Sequence, residues 1–180
     1  MRWFFSDLHL NHGNIIKFCS RPFSSAKEMD IKLIENCNSV VMPDDTLYCL
    51  GDFSFKSQPH FYTRRINCKN LILIQGNHDR INACKGHFKE IHDKLEIEIG
   101  GHKILLCHYY YKQMLDSNFD HKFKDRMPQY YPGQVLIHGH CHSSKPHINE
   151  EYKAINVSVE QINYTPISEE RILEIIKGFK

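Results

Sequence analysis

The sequence lacks any apolar run approaching the ~20 residues that a membrane-spanning helix needs. It also has no positively charged segment leading into an apolar one near its start, so nothing marks it for export. Paired cysteines are missing as well. Cys19, Cys37, Cys49, Cys68, Cys84, Cys107 and Cys141 are odd in number, scattered, and never spaced C-x-x-C, which argues against a disulfide framework. Charge of either sign is not in excess: 23 Lys plus Arg against 21 Asp plus Glu leave a formal +2, unlike a dedicated nucleic-acid binder. Any anionic ligand must therefore be held locally. There is no internal repeat, low-complexity tract or linker, and 180 residues suit one domain spanning 1–180. These absences give a chain expected in the cytoplasm, with no membrane contact and no obligate protein partner inferred.

Histidine is what the chain has in plenty, with 13 copies, many beside Asp or Asn after apolar runs, where imidazole serves as metal ligand or proton carrier. The central stretch is Leu71-Ile72-Leu73-Ile74-Gln75-Gly76-Asn77-His78-Asp79. An apolar run closed by a glycine reads as a buried strand, and strand ends are where open α/β sheets place their ligands. Trp3-Phe4-Phe5 leads in the same way into Ser6-Asp7-Leu8-His9, and Thr46 to Leu50 into Gly51-Asp52. Three strands thus bring polar groups to one rim. In an extended segment Asp7 and His9 share a face and can converge on a mixed O/N cation site.

The remaining elements follow from periodicity and caps. A short helix is expected over residues 15–19, ending before Arg21-Pro22; Arg21, whose planar fork suits an oxyanion, is a candidate phosphate contact. Ser25 and Glu28 form a capping box for a packing helix carrying Met29, Leu33, Cys37 and Val40 at helical spacing. A second helix is expected over Pro59–Cys68. Residues 96–107 read as a hairpin that delivers His108. Tyr109 to Gly133 lose periodicity and suggest a lid or substrate loop, with a short helix near Lys112–Leu115 as the plainer alternative. Val135-Leu136-Ile137 reads as a strand running into His138-Gly139-His140-Cys141-His142, in which Cys141 points away from the two imidazoles as a small apolar filler. A hairpin-like pair, Ala154–Val159 with Ile162–Tyr164, precedes a terminal helix capped at Ser168.

The ordered blocks Asp7-x-His9, Gly51-Asp52, Gly76-Asn77-His78-Asp79, His108 and Gly139-His140-x-His142, each after an apolar strand, resemble the calcineurin-like metallophosphoesterase superfamily. The lead-in His12-Gly13-Asn14-Ile15-Ile16 and Arg21-Pro22-Phe23 looks like a small bacterial and phage-type branch of it. The resemblance implies an α/β (α+β) fold, a β-sandwich flanked by α-helices with a dinuclear site at one strand edge. It implies that Asp7, His9, Asp52 and His142 hold one divalent ion, and that Asp52, as a bridge, holds the second with Asn77, His108 and His140. A bridging hydroxide would be the nucleophile and His78 the group that protonates the leaving oxygen. Imidazole and carboxylate with one amide oxygen suit Mn, Fe, Zn, Ni or Co, with Mn favoured, better than an all-oxygen Mg site. Tyr109-Tyr110-Tyr111 stands where relatives often carry proline two residues after the histidine matching His108. Tyr109 and Tyr111, with His12, Asn14 and Arg21, are therefore the candidate substrate contacts.

The expected activity is hydrolysis of a phosphoester, diesters before monoesters because no cap segment is evident. A nuclease, RNA-end or cyclic-nucleotide phosphoesterase is the alternative, its substrate a nucleotide or nucleic-acid end tracked by the Tyr-rich stretch. A non-catalytic scaffold with the same fold is disfavoured, since every ligand position is filled.

Overall fold

The computed structural model describes residues 1–56, 59–115 and 122–179. The chain runs β1 (Arg2–Phe5), α1 (Gly13–Phe18), α2 (Ala26–Val40), β2 (Thr46–Cys49), α3 (His60–Thr63), β3 (Asn70–Ile74), α4 (Ile81–Cys84) and β4 (Glu90–His92). It continues through β5 (Lys94–Ile99), β6 (His102–Cys107), β7 (Gln134–His138), β8 (Ile148–Asn149), β9 (Ala154–Asn156), β10 (Ile167–Ser168) and α5 (Glu169–Gly178). Two five-stranded sheets result, ordered β10-β1-β2-β3-β4 and β5-β6-β7-β9-β8.

Period-two alternation of the side chains builds three apolar layers from these two sheets. On β3, Leu71 and Leu73 face α2, meeting Met29, Leu33 and Cys37, while Ile72 and Ile74 face the second sheet. On β6, Ile104 and Leu106 turn into the sandwich beside Val135, Ile137 and Ile155; Leu105 and Cys107 turn outward. α5 closes the sandwich with Ile172, Ile175 and Ile176. Among the described residues the outward face of the second sheet carries no α-helix, only the 3-10 turn Lys112–Met114. Tyr109, Tyr110, Tyr111, Met114 and Met127 cover it instead.

Parallel pairing of β1, β2 and β3 sends three consecutive chain segments off the same sheet edge. β6, β7 and β9, also parallel, do the same from the second sheet. The two rims meet through close contacts that only glycine permits: a Cβ at Gly51 would overlap His108 Nδ1, and one at Gly139 would overlap Ser6 Oγ and Asp7 Oδ2.

Several sequence expectations are corrected here. The Pro59–Cys68 helix shrinks to the single turn of α3, because Asn38 takes its backbone partners: its Oδ1 accepts from Asn67 N at 2.8 Å and its Nδ2 donates to Arg65 O at 2.8 Å. The pair proposed over 154–164 is not a hairpin. Ala154–Asn156 pairs with β7 and β8, and Val159–Gln161 forms a 3-10 turn that bends the chain away. Ser25 caps α2, accepting from Glu28 N at 3.2 Å, but Glu28 reaches back to Ser24 N at 2.7 Å rather than to Ser25. β4, β8 and β10 carry no sequence signal long enough to predict them. Part of the supposed lid, 116–121, lies outside the described residues; the rest starts as a core layer. No helix among the described residues is long and apolar enough to cross a membrane.

Candidate metal centre

The loops leaving β1, β2 and β7 bend sharply to aim their side chains. Asp7, His9, Asp52, His140 and His142 all have positive φ, between 46° and 70°, a region that costs a non-glycine residue about 1–3 kcal/mol. Asp7 and His9 therefore converge through a left-handed turn, not through the extended strand expected from the sequence. Hydrogen bonds hold the turn: Asp7 N donates to Gly51 O at 3.0 Å and His9 N to Asp52 O at 2.9 Å.

Each carboxylate spends one oxygen on the scaffold and keeps the other for the centre. Asp7 Oδ2 accepts from His140 N and from Ser158 Oγ, both at 2.9 Å; its Oδ1 is buried without a partner. Asp52 Oδ1 accepts from His78 N at 2.8 Å. Asp52 Oδ2 lies 3.6 Å from both His9 Nε2 and His108 Nε2, between the two halves of the cluster. Asp79 stiffens this rim by accepting from the amides of Asp52, Phe53 and Gly76 at 2.8, 3.0 and 2.8 Å.

The imidazoles are oriented from behind. His108 Nδ1 lies 2.7 Å from Leu50 O, a pure acceptor, so Nδ1 must donate and, in the neutral ring, Nε2 presents a lone pair. That lone pair faces Asn77 Oδ1 at 3.2 Å and Asp52 Oδ2. His142 Nδ1 likewise donates to Glu160 Oε1 at 2.9 Å, leaving Nε2 3.9 Å from Asp7 Oδ1. Both ring nitrogens of His9 are buried without a partner.

Lone pairs that converge in a buried space repel unless a cation sits between them. Potential ligand atoms of Asp7, His9 and His142, and of Asp7, Asp52 and His108, form two groups within 4.8 Å. His140 stands beside the second, its ring 5.0 Å from that of His108. The donor set, carboxylate and imidazole, fits divalent metal ions. A third grouping, Cys19 with His142 and Glu160, shares His142 and is held by the same Glu160 contact.

Electrostatics agree with a cation seat. Burial would raise Asp7, but His142, His108 and His9 outweigh it and hold the carboxyl below its ordinary value. Burial pushes Asp52 up to about 6, His108 opposing and Asp7 and Asp79 adding to the shift. Burial pushes His140 down to about 3, with His108 adding to the shift, and drives His9 well below its usual range. His142 goes the other way: burial lowers it, but Asp7 and Glu160 outweigh that and raise it to about 11, and a cation would have to displace its proton, since neutral imidazole is the ligand form.

These ordered blocks and this geometry match a family model, the calcineurin-like phosphoesterase superfamily domain, over residues 3–160. The chain belongs to this superfamily. It is a metallophosphoesterase, a phosphoric ester hydrolase. An uncharacterised protein of Methanocaldococcus jannaschii is 37% identical over 182 residues, covering 97% of this chain and 90% of that protein. The gene 66 protein of Mycobacterium phage L5 is 33% identical over 168 residues, 78% of this chain and 77% of its own. A protein of unknown function from Aquifex aeolicus has a crystal structure matching with a TM-score of 0.75 at 32% identity, covering 97% of this chain and 98% of that one.

The metallophosphoesterase rim thus gathers Asp7, His9, Asp52, Asn77, His108, His140 and His142. His78 stands at its open side, exposed, its ring 5.2 Å from His9 and 5.7 Å from Phe55. His12 stacks on Phe55 at 3.8 Å, and Asn14 is exposed on α1. Three expected substrate contacts are corrected. Arg21 has a fully buried guanidinium that donates to Asp7 O at 2.6 Å and Leu8 O at 2.8 Å and pairs with Glu160 at 2.7 Å. Tyr109 and Tyr111 are 1% and 0% exposed, because the uncovered sheet face draws them inward. Tyr109 still touches the centre from behind, its ring 4.8 Å from His140 and its hydroxyl accepting from Arg126 at 2.9 Å. Glu160, Ser158 and Asp79 were not singled out from sequence as supports; the first two follow β9 with no local motif to mark them.

Proposed function

We propose that this metallophosphoesterase hydrolyses phosphodiesters with two divalent cations held by the clustered side chains. The observation that carries the reading is the set of buried polar atoms without partners, Asp7 Oδ1 and both His9 ring nitrogens, with His142 Nε2 3.9 Å from that oxygen and His108 Nε2 beside Asn77 Oδ1 and Asp52 Oδ2. Asp7, His9 and His142 would hold one ion, and Asn77, His108 and His140 the other, with Asp52 between them. Such ions supply Lewis-acid charge to a phosphoryl oxygen and make water acidic. The mixed imidazole and carboxylate set favours Mn, Fe, Zn, Ni or Co.

The chain's own groups do the rest. Asp79 and Gly76 fix the Asn77-His78 turn, and the His78 amide is tied to Asp52, so the imidazole is placed over the open side, where it can give a proton to a departing oxygen. Two clefts lie on this side of the molecule, of which the smaller borders the cluster and the larger reaches Asn11, two residues from His9. One, of about 760 Å³, is lined by Asn11, Lys56 and Tyr62 among others; the other, of about 420 Å³, is lined by Phe18, His140 and His142 among others. A diester has an arm for each cleft, whereas a monoester has only one.

Metal analysis of the purified chain tests the first half: two ions per chain are expected, and one would overturn the dinuclear reading. Turnover of bis-p-nitrophenyl phosphate against p-nitrophenyl phosphate tests the second. Diester kcat/KM should be the larger.

A further inference from the structure

The larger cleft has a composition that hydrolysis of a small diester does not require. Its wall carries Lys27, Lys56, Arg64 and Arg65, and none of the four forms an ion pair among the described residues. The single carboxylate there, Asp30, is buried and committed. It accepts from Asn11 N at 3.0 Å and from Tyr62 Oη at 3.1 Å. Four unpaired cations against one engaged acid form a local field that the near-neutral net charge conceals.

Aromatic rings accompany the cations. Phe61 is 50% exposed with the Arg64 guanidinium 5.4 Å from its centroid, and Lys56 Nζ lies 5.2 Å from the Phe55 ring. Phe55 in turn stacks on His12, and His12 lies 5.5 Å from His9. Beyond His12, at 6.4 Å, stands Phe18, 74% exposed and facing the second cleft. Phe55, His12 and Phe18 thus form a line of rings beside His9, with Lys56 of the larger cleft over one end and Phe18 of the smaller cleft at the other. Phe18 and Phe61 are large exposed rings that pack only at their edges, on His12 in the first case and on His60 and Arg64 in the second. Alternating cations and rings along a groove are how single-stranded nucleic acid is held, phosphates on the charges and bases on the rings.

We infer that the Lys27/Lys56/Arg64/Arg65 cleft binds the non-scissile phosphates of a single-stranded polynucleotide whose scissile linkage lies at the metal cluster. The inference rests on the phosphodiesterase reading above. It names the substrate class, DNA and RNA strands sharing the chemistry that the cleft recognises.

The test is fluorescence anisotropy with 3- and 12-nucleotide fluorescein-labelled strands, as DNA and as RNA, on the full chain in EDTA so that turnover is blocked. The longer strand should bind at least tenfold more tightly than the shorter. Arg64→Glu with Arg65→Glu should erase that advantage and flatten the salt dependence by roughly 0.7 in log–log slope for each arginine lost. Phe61→Ala should weaken the 12-mer about tenfold. The DNA and RNA arms then say which strand is preferred. Equal affinity for both lengths, or a double variant that binds the 12-mer like wild type, overturns the inference. Should the double variant lose its melting transition, Lys56→Gln alone decides: a threefold or greater loss on the 12-mer only supports the groove, and no loss overturns it. The two readings fail separately, because strand binding in EDTA without diester turnover in metal sinks the phosphodiesterase and keeps the groove.

Discussion

The two sheets contribute to the centre in different ways. The first supplies both carboxylates and the amide, Asp7, Asp52 and Asn77, together with His9, from three adjacent parallel strands. The second supplies imidazoles only, His108, His140 and His142. Each buried ligand group mixes the two sources, so neither sheet can hold an ion alone. Cations here would act as a clasp across the sandwich edge, and metal affinity would be linked to the docking of the sheets.

Substitutions can break this division. Asp52→Asn should have the largest effect: it removes charge at the oxygen lying 3.6 Å from both halves, so metal analysis should show both ions weakened and turnover lost. Asp7 also enters both groups, and Asp7→Asn is the control that sharpens the point. If Asp7→Asn strips both ions while Asp52→Asn strips one, the bridge is Asp7.

His78→Ala comes next. With metal content unchanged, kcat/KM should fall about 10²- to 10⁴-fold on diesters with alkyl leaving groups and far less on nitrophenyl diesters, whose leaving group needs no proton. Equal losses on both would remove the proton-donor role. Glu160→Gln should be milder, about 10- to 100-fold in metal affinity, confined to the ion that His142 holds. Loss from the other ion would show that Glu160 works through the fold.

The smallest effect tests what covers the second sheet. Tyr111 Oη is buried without a partner, so Tyr111→Phe should leave melting nearly unchanged, within about 1 kcal/mol. Tyr111→Ala should cost about 3–5 kcal/mol through the cavity it leaves. A selective change in substrate preference by either variant would restore Tyr111 to the substrate wall.

The sequence made the rims readable because apolar runs and the polar residues ending them are neighbours in the chain. Leu71–Ile74 with Asn77 and His78 show both on one line. Supports supplied from afar were not readable: Arg21 reaches Glu160 across 139 positions, and no local pattern distinguishes it from a surface arginine. The Tyr109–Tyr111 cluster misled for a related reason. Its density looks like a surface device, but which rings are exposed depends on what covers β6 and β7, and among the described residues only the short 3-10 turn Lys112–Met114 joins the tyrosines there. The exposed rings are Phe18, Phe61 and, at the far end of the Tyr-rich stretch, Tyr131.

One contact also sets a timetable for biosynthesis. Asp7 Oδ2 is held by Ser158, 151 residues later, and β1 gains its outer neighbour only when Ile167 and Ser168 arrive. At ribosomal rates of about 5–20 residues per second, some 8–30 s separate the first ligand from the group that orients it. The N-terminal ligands thus emerge early, without their support. A cation centre at this rim would be fully braced only once Ser158 has been made.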